Sequence, residues 1–348
     1  MRTNFFDYVL EKPAYGWKNE QNELAVPTKT QLFSEFFSRL NVIRDKKNWI
    51  SFISWFWILS ALAFPIVFFI KFFTWPLAIV GFLYGMVILG THGTVWYHRY
   101  CTHGAFKFKN NFWKGFTRNL GIKLFPEETY VVSHHVHHLK SELPGDPYNP
   151  HAGALYCFLA DVNHQKIATN LNEKDYGRLT NLLRHTGFKM NSFSAYEKWG
   201  SVACPVRTTV HWLLNWTLWY GVFFLIGGHA LAFALFSGAF VWGLGIRTFN
   251  YEGHGKGKDL KKEGVDFHQT DNSINQVWPG LVAGEWHNNH HLYPHSARSG
   301  FTTFQLDFAW YYIWLLQKLG AVTAVKNSKN DFFKDHFLPN ENSLKRKE

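Results

Sequence analysis

The sequence of 348 residues predicts an all-α, integral-membrane fold: four transmembrane helices in two hairpins, with a cytoplasmic helical cap. Three observations carry that prediction. Four charge-poor apolar runs are long enough to cross a bilayer, which takes roughly 20 residues. The two runs of each pair are joined by a very short connector. Basic residues collect on the side away from those connectors.

The element before the first span, in the segment 1–49, is an amphipathic helix. Leu32, Phe33, Phe36, Phe37 and Leu40 recur at helical spacing, as expected of a helix lying in the membrane interface or packing on the cap. The first hairpin, 50–91, opens with an uncharged run from about Ile50 to Ile70. Lys71 and Pro76 mark its turn, and the second run continues to about Leu89. A polar section, 92–207, shows helical patterns interrupted by Pro126, Pro144, Pro147 and Pro150. The second hairpin, 208–246, has runs from about Thr208 to Ile226 and on to Ile246, with Gly227 and Gly228 at the turn. A second polar section, 247–326, and a charged, mobile tail, 327–348, complete what reads as a single domain.

Arg39, Arg44, Lys46 and Lys47 precede the first span, Arg99 and Lys107 follow the second, and Arg247 follows the fourth. The positive-inside rule makes that side cytoplasmic, with both termini. The chain opens with Asn4, Asp7 and Glu11 and no apolar core of a secretory signal. A net charge of +11 fits an anionic leaflet, an acidic redox partner or a CoA-type substrate. Nucleic acid is disfavoured, because the Lys and Arg are dispersed among apolar runs. With 34 Phe, 16 Trp and 15 Tyr, the aromatic content exceeds what a soluble core needs and suits lipid and its interfaces. Mean hydropathy is only −0.18, a value that long polar stretches explain. Cys101, Cys157 and Cys204 form no C-x-x-C pair, so neither a disulfide framework nor a thiolate metal site is expected.

Chemistry is concentrated in the 19 histidines. His98 and His103 are spaced H-x-x-x-x-H beyond the second span. His134, His137 and His138 form H-x-x-H-H, and His287, His290 and His291 repeat it within GEWHNNHH. Positions i, i+3 and i+4 lie within one helical face, so each H-x-x-H-H is expected to aim three imidazoles at one point. The i,i+5 pair does not share a face in an α-helix, and a helix end near Arg99 is expected to supply the change of direction. All three groups fall on the predicted cytoplasmic side. Eight imidazoles exceed the needs of one tetrahedral zinc and suit two metals with open positions. Imidazole binds Zn, Cu, Fe or Ni, so ligand type leaves the metal open.

Together the three boxes, HRYCTH, HHVHH and GEWHNNHHLYPHSAR, resemble those of the membrane fatty acid desaturase family, most closely its acyl-CoA Δ9-type branch. NYEGH, Asn250 to His254, resembles the family's further ligand after the fourth span. The resemblance covers about residues 50–320. It implies two iron ions held by His98, His103, His134, His137, His138, His254, His287, His290 and His291, with Asn250 contacting metal through water. It further implies an acyl-lipid substrate, acyl-CoA favoured, O2 as co-substrate, and a cis double bond as product. Gly104 and Tyr148 depart from residues common in relatives, and neither is a ligand position. No haem-binding HPGG and no cysteine motif for an iron–sulfur centre occurs, which implies a separate ferredoxin or cytochrome b5 as electron donor. Lipid hydroxylation or decarboxylation on the same scaffold is the nearest alternative. A non-catalytic membrane metal-binding or transport protein is the next, although a transporter places such residues near the membrane midplane. The zinc-hydrolase motif H-E-x-x-H is absent.

Several residues carry secondary expectations. His135 points away from its neighbours along the helix, His92 is a polar core residue or ligand prop, and His151, His164 and His295 are structural or surface residues rather than ligands. Glu285, Glu252 and Asp146 are candidates to accept a ligand N–H. Trp286 is a candidate wall of the acyl tunnel.

Overall fold

A computed structural model describes residues 4–337, and the last part of the expected tail lies outside the described residues. The chain is mostly helical, with three helices long and apolar enough to cross a membrane: Lys46–Phe72, Trp75–Thr102 and Pro205–Gly253. The expected four runs thus lie in three long helical stretches, the third of them broken at Gly227 and Gly228. Two compact units interleave along the chain. One takes in residues as far as Leu89 together with Gly121–Glu252; the other takes in Gly90–Leu120 and the chain from Gly253 onward.

In the first unit, the helix Lys46–Phe72 ends at the two-residue link Phe73–Thr74, where Thr74 Oγ1 accepts the Leu77 N–H at 3.4 Å and Pro76 occupies the first turn. That arrangement satisfies an orphan N–H and uses proline where none is needed. The helix Pro205–Gly245 is interrupted by non-helical backbone at Gly227 and Gly228, the latter at φ 67°, ψ −168°, a region open essentially to glycine. Rings on either side of the break meet: Tyr220 and Phe233 lie 6.0 Å apart between centroids. Trp57, Trp212, Trp216, Phe223 and Phe236 form the shared core. Close backbone approach is built from small residues. A Cβ on Gly85 would sit 2.3 Å from the Gly238 carbonyl oxygen, and one on Gly81 would sit 2.4 Å from that of Ala234. Such small-x-x-x-small faces let apolar helices pack without a hydrophobic drive between them. Outward faces keep large apolar groups exposed, among them Ile70, Leu225 and Ile226. A soluble protein rarely shows so much exposed apolar surface, whereas lipid accommodates it.

The amphipathic helix Lys29–Leu40 buries Leu32 and Phe36 against Trp55 and Tyr156 and exposes Phe33 and Phe37. Its Arg39 is buried, bonded to Glu35 at 2.6 Å and to the carbonyls of Val162 and Lys12, which ties down the N-terminal arm.

The second unit is organised around the last turns of the helix Trp75–Thr102. Arg99 is 2% exposed, and its guanidinium donates to Asp307 at 3.0 and 3.1 Å, to Ser299 Oγ, and to the carbonyls of Gly284 and Ala297. One buried cation thereby gathers three loop segments, at Gly284, Ala297–Ser299 and Asp307. Lys107–Phe108 pairs antiparallel with Val322–Thr323, a two-residue ladder that the all-helical prediction does not contain. The stretch expected as a mobile tail begins with the helix Lys329–His336, whose Phe332 is fully buried against Phe301. Its charged residues mask this one apolar anchor in the sequence.

Candidate metal centre

Two trios of imidazoles stand in the second unit. His98, His103 and His290 form the first, with ring centroids 4.9, 4.1 and 4.7 Å apart. His254, His287 and His291 form the second, at 4.7, 4.8 and 4.5 Å. All six rings are deep inside the protein, His254 with no exposed surface at all.

The first trio depends on an unusual winding. Residues Thr94–Thr102 are π-helical, and the His103 N–H bonds to the His98 carbonyl at 3.1 Å, an i→i+5 link. In that winding residues five apart return to one face, so the wider helix turn, rather than a helix end near Arg99, reconciles the H-x-x-x-x-H spacing. His295 donates from Nδ1 to the His103 carbonyl at 2.9 Å, which gives this structural histidine a definite role.

The third box sits on the six-residue helix His287–Leu292, too short to stand alone. Its two interior asparagines hold it. Asn288 Oδ1 accepts the N–H groups of Phe267 and His268, while Asn289 Nδ2 donates to the Ser299 carbonyl and to Gln305. Trp286 Nε1 donates to the Leu306 carbonyl at 2.9 Å, and its indole lies over Gly280, so it braces the entry to the box. His287 lies directly over Gly253: a Cβ there would come within 2.7 Å of the ring, which explains the glycine of NYEGH. Asn250 is half-buried on the helix Phe249–Gly253, one turn before His254.

In the first unit the second box lies on the 14-residue helix Glu127–Lys140. His134 and His138 meet with Nε2 atoms 3.1 Å apart; His137 stands off, its centroid 5.7 Å from each. The third box divides likewise: His287 and His291 are 4.5 Å apart, and His290 lies 6.4 Å from His287. The expectation that each H-x-x-H-H aims three rings at one point is therefore corrected. The i,i+4 pair converges, while the i+3 member, about 100° around the helix from its neighbour, serves a separate position. His135 is placed apart from these, its ring 6.1 Å from Phe6.

Carboxylates fix the ring orientations. Glu285 accepts from His98 Nδ1 at 2.9 Å, Asp146 from His137 Nδ1 at 2.9 Å, and Asp271 from His291 Nδ1 at 3.1 Å. A donating Nδ1–H directs the Nε2 lone pair away from the carboxylate, the tautomer a metal ligand requires. Burial pushes the Asp271 carboxyl up, but the hydrogen bond and charge of His291 outweigh it, and the group ends well below the usual carboxylate range. Tyr148, one of the departures from family usage, bonds Ser133 Oγ at 2.8 Å with its ring 5.2 Å from His137. Asp271, Asn288 and Asn289 escape sequence reasoning because Asx residues near turns signal only a turn.

The donor set suits divalent transition metals. His98 and His290 place Nε2 atoms 2.9 Å apart. Two imidazole nitrogens at right angles, each about 2.0–2.1 Å from one ion, would be separated by about 2.9 Å.

A family model described as fatty acid desaturase matches residues 73–318. The chain is 30% identical over 239 residues to a Delta-9 desaturase-like 2 protein of Arabidopsis thaliana, covering 66% of this chain and 70% of that protein. It is 28% identical to an icosanoyl-CoA 5-desaturase of Limnanthes douglasii, covering 73% and 67%. A hex-5-enoyl-[acyl-carrier protein] acetylenase of Moorena producens matches at 28%, covering 71% and 76%. With the histidine boxes in place and the match running through most of its length, the chain belongs to the fatty acid desaturase family.

Proposed function

We propose that this enzyme, an oxidoreductase of fatty acyl chains, uses two iron ions and O2 to place a cis double bond in a long acyl chain, acyl-CoA being the favoured substrate. The observation that carries the di-iron reading is the pair of imidazole trios, His98/His103/His290 and His254/His287/His291, one for each metal position. His134, His137 and His138 complete the ligand set, and Asn250 contacts one metal through water. Relatives named as an icosanoyl-CoA desaturase, an acyl-lipid desaturase and an acyl-carrier-protein acetylenase support the acyl substrate.

Bound here, the irons with O2 and two electrons supply the oxidising power that breaks unactivated C–H bonds: a –CH2–CH2– unit, O2, two electrons and two protons give –CH=CH– and two waters. The chain's own residues set the conditions. Glu285, Asp146 and Asp271 orient His98, His137 and His291, so that each Nε2 faces away from its carboxylate. Tight burial of the rings excludes bulk water. In the first unit a cleft lined by Ser51, Ser54, Phe125 and Tyr130, with Lys47 and Lys166 among its walls, is suited to the carbonyl end of an acyl chain. The Tyr130 ring stacks on His134 at 5.5 Å.

Four spans in two hairpins remain the preferred topology. The 41 residues of Pro205–Gly245 would extend about 60 Å if straight, twice the ~30 Å hydrocarbon core, and the Gly227–Gly228 break supports a return across it. The basic residues flanking the spans favour a cytoplasmic site and termini, where a separate ferredoxin or cytochrome b5 delivers electrons.

Expression in a desaturase-deficient host, with fatty-acid profiling, tests the reading. Wild type should restore unsaturated chains and bind about two irons per chain after anaerobic purification. Saturated lipids that stay saturated, or an oxygenated product instead, would overturn it.

A further inference from the structure

The helix Phe308–Lys318 reads FAWYYIWLLQK and carries no charge before Lys318. One face is buried: Ala309, Ile313 and Leu316 pack towards Gly90–Thr102, the emerging end of a membrane-crossing helix. The other face is apolar as well yet uncovered, with Phe308, Tyr311 and Leu315 following one another at i, i+3 and i+7 and Tyr311 46% exposed. Beside it Phe304 is 92% exposed and Trp278 is 55% exposed. A helix apolar on every side belongs in a core or in lipid. Eleven residues reach about 16 Å, half of what a crossing needs.

Its height along the membrane normal is fixed by the crossing helix. Asp307, the N-cap, is clamped to Arg99. The adjoining helix Val277–Ala283, which carries Trp278, accepts a hydrogen bond from Thr91 Oγ1 at the Val282 carbonyl, 3.2 Å. Thr91 lies 16 residues beyond Trp75, about 24 Å along the axis and so near the far edge of the hydrocarbon. The exposed rings therefore sit where Trp and Tyr favour the interface. Lys318 closes the helix with its ammonium 5.6 Å from the Trp314 ring, placed to reach lipid phosphate.

We propose that Phe308–Lys318, with Phe304 and Trp278, is an interfacial membrane anchor lying in the leaflet surface from which the helix Trp75–Thr102 emerges. It gives the histidine-bearing second unit a lipid contact in addition to the crossing helix. The inference requires the membrane reading of the chain and no step of the desaturase chemistry.

Site-directed fluorescence tests it in the full-length protein reconstituted in phosphatidylcholine–phosphatidylglycerol vesicles. With Cys204→Ser removing the one native thiol that is not buried, an environment-sensitive label is placed at Phe304→Cys, Tyr311→Cys and, as a water-exposed reference, Glu263→Cys. Doxyl groups near the lipid headgroup should quench positions 304 and 311 several-fold more than 263, and aqueous iodide should show the reverse order. Iodide quenching of 304 and 311 equal to that of 263 would overturn the proposal. So would protection from both quenchers, the result expected if a protein partner or a second copy covers this face.

Discussion

The same five-residue pattern, H-x-x-H-H, stands in two very different supports. In the first unit it rides on a 14-residue helix, and its carboxylate, Asp146, comes from only nine residues away. In the second unit it occupies a six-residue helix that neighbouring loops hold in shape through Asn288 and Asn289. Despite this, both divide their rings in the same 2+1 manner. Helical geometry alone therefore dictates which ring goes where, and the surroundings dictate only how firmly the helix is kept. A local code and a non-local scaffold are separable.

If that separation holds, the i+3 member of either box should be equally indispensable. His290→Ala and His137→Ala should each abolish unsaturated product in fatty-acid profiles and reduce bound iron, while the protein stays in the membrane. His135→Ala, on the same long helix, should keep both. A variant of either i+3 histidine with full activity would break the symmetry.

Next in size is a substitution confined to the second unit. Asp307→Ala leaves the Arg99 guanidinium buried without its carboxylate, a loss on the order of 3–5 kcal/mol. Thermal unfolding in detergent should show it, together with loss of the second unit's iron affinity. Smaller again are the carboxylates that orient rings. Asp271→Asn and Asp146→Asn should each lower iron affinity by about 10–100-fold, read from chelator competition. An effect at one site alone would mean that the two supports are not equivalent.

The smallest expected effect concerns acid. Burial, with the nearby charge of Arg39, drives the His164 pKa well below its ordinary value, and its ring stacks on Tyr156 at 3.7 Å. Folding thus favours the neutral ring: its contribution is complete above pH ~6.5, the unfolded value, and is lost as pH falls, by at most about 1.4 kcal/mol per unit. In His164→Phe the acid-side fall in melting temperature should be shallower than in wild type. Parallel slopes would assign the acid sensitivity to other groups.

Much of this was legible in the residues. The histidine boxes, the apolar runs and the glycine break at 227–228 are local patterns with fixed periods. Three features were hidden. The π-helical turn at Thr94–Thr102 has no compositional signature, so His98 and His103 read as a mismatch. The continuity of the helix from Trp75 to Thr102 was obscured by Thr91, His92 and Thr94, polar residues that lower hydropathy without breaking a helix. Asp271 and Asp307 are recognisable only through partners remote in sequence, His291 and Arg99.

That remoteness has a consequence in time. Arg99 and Asp307 are 208 positions apart. During synthesis the first histidine box leaves the ribosome early, but the guanidinium beside it gains its counter-charge only after nearly the whole chain has followed. A nascent chain thus holds an unmatched cation beside the first histidine box until late in translation.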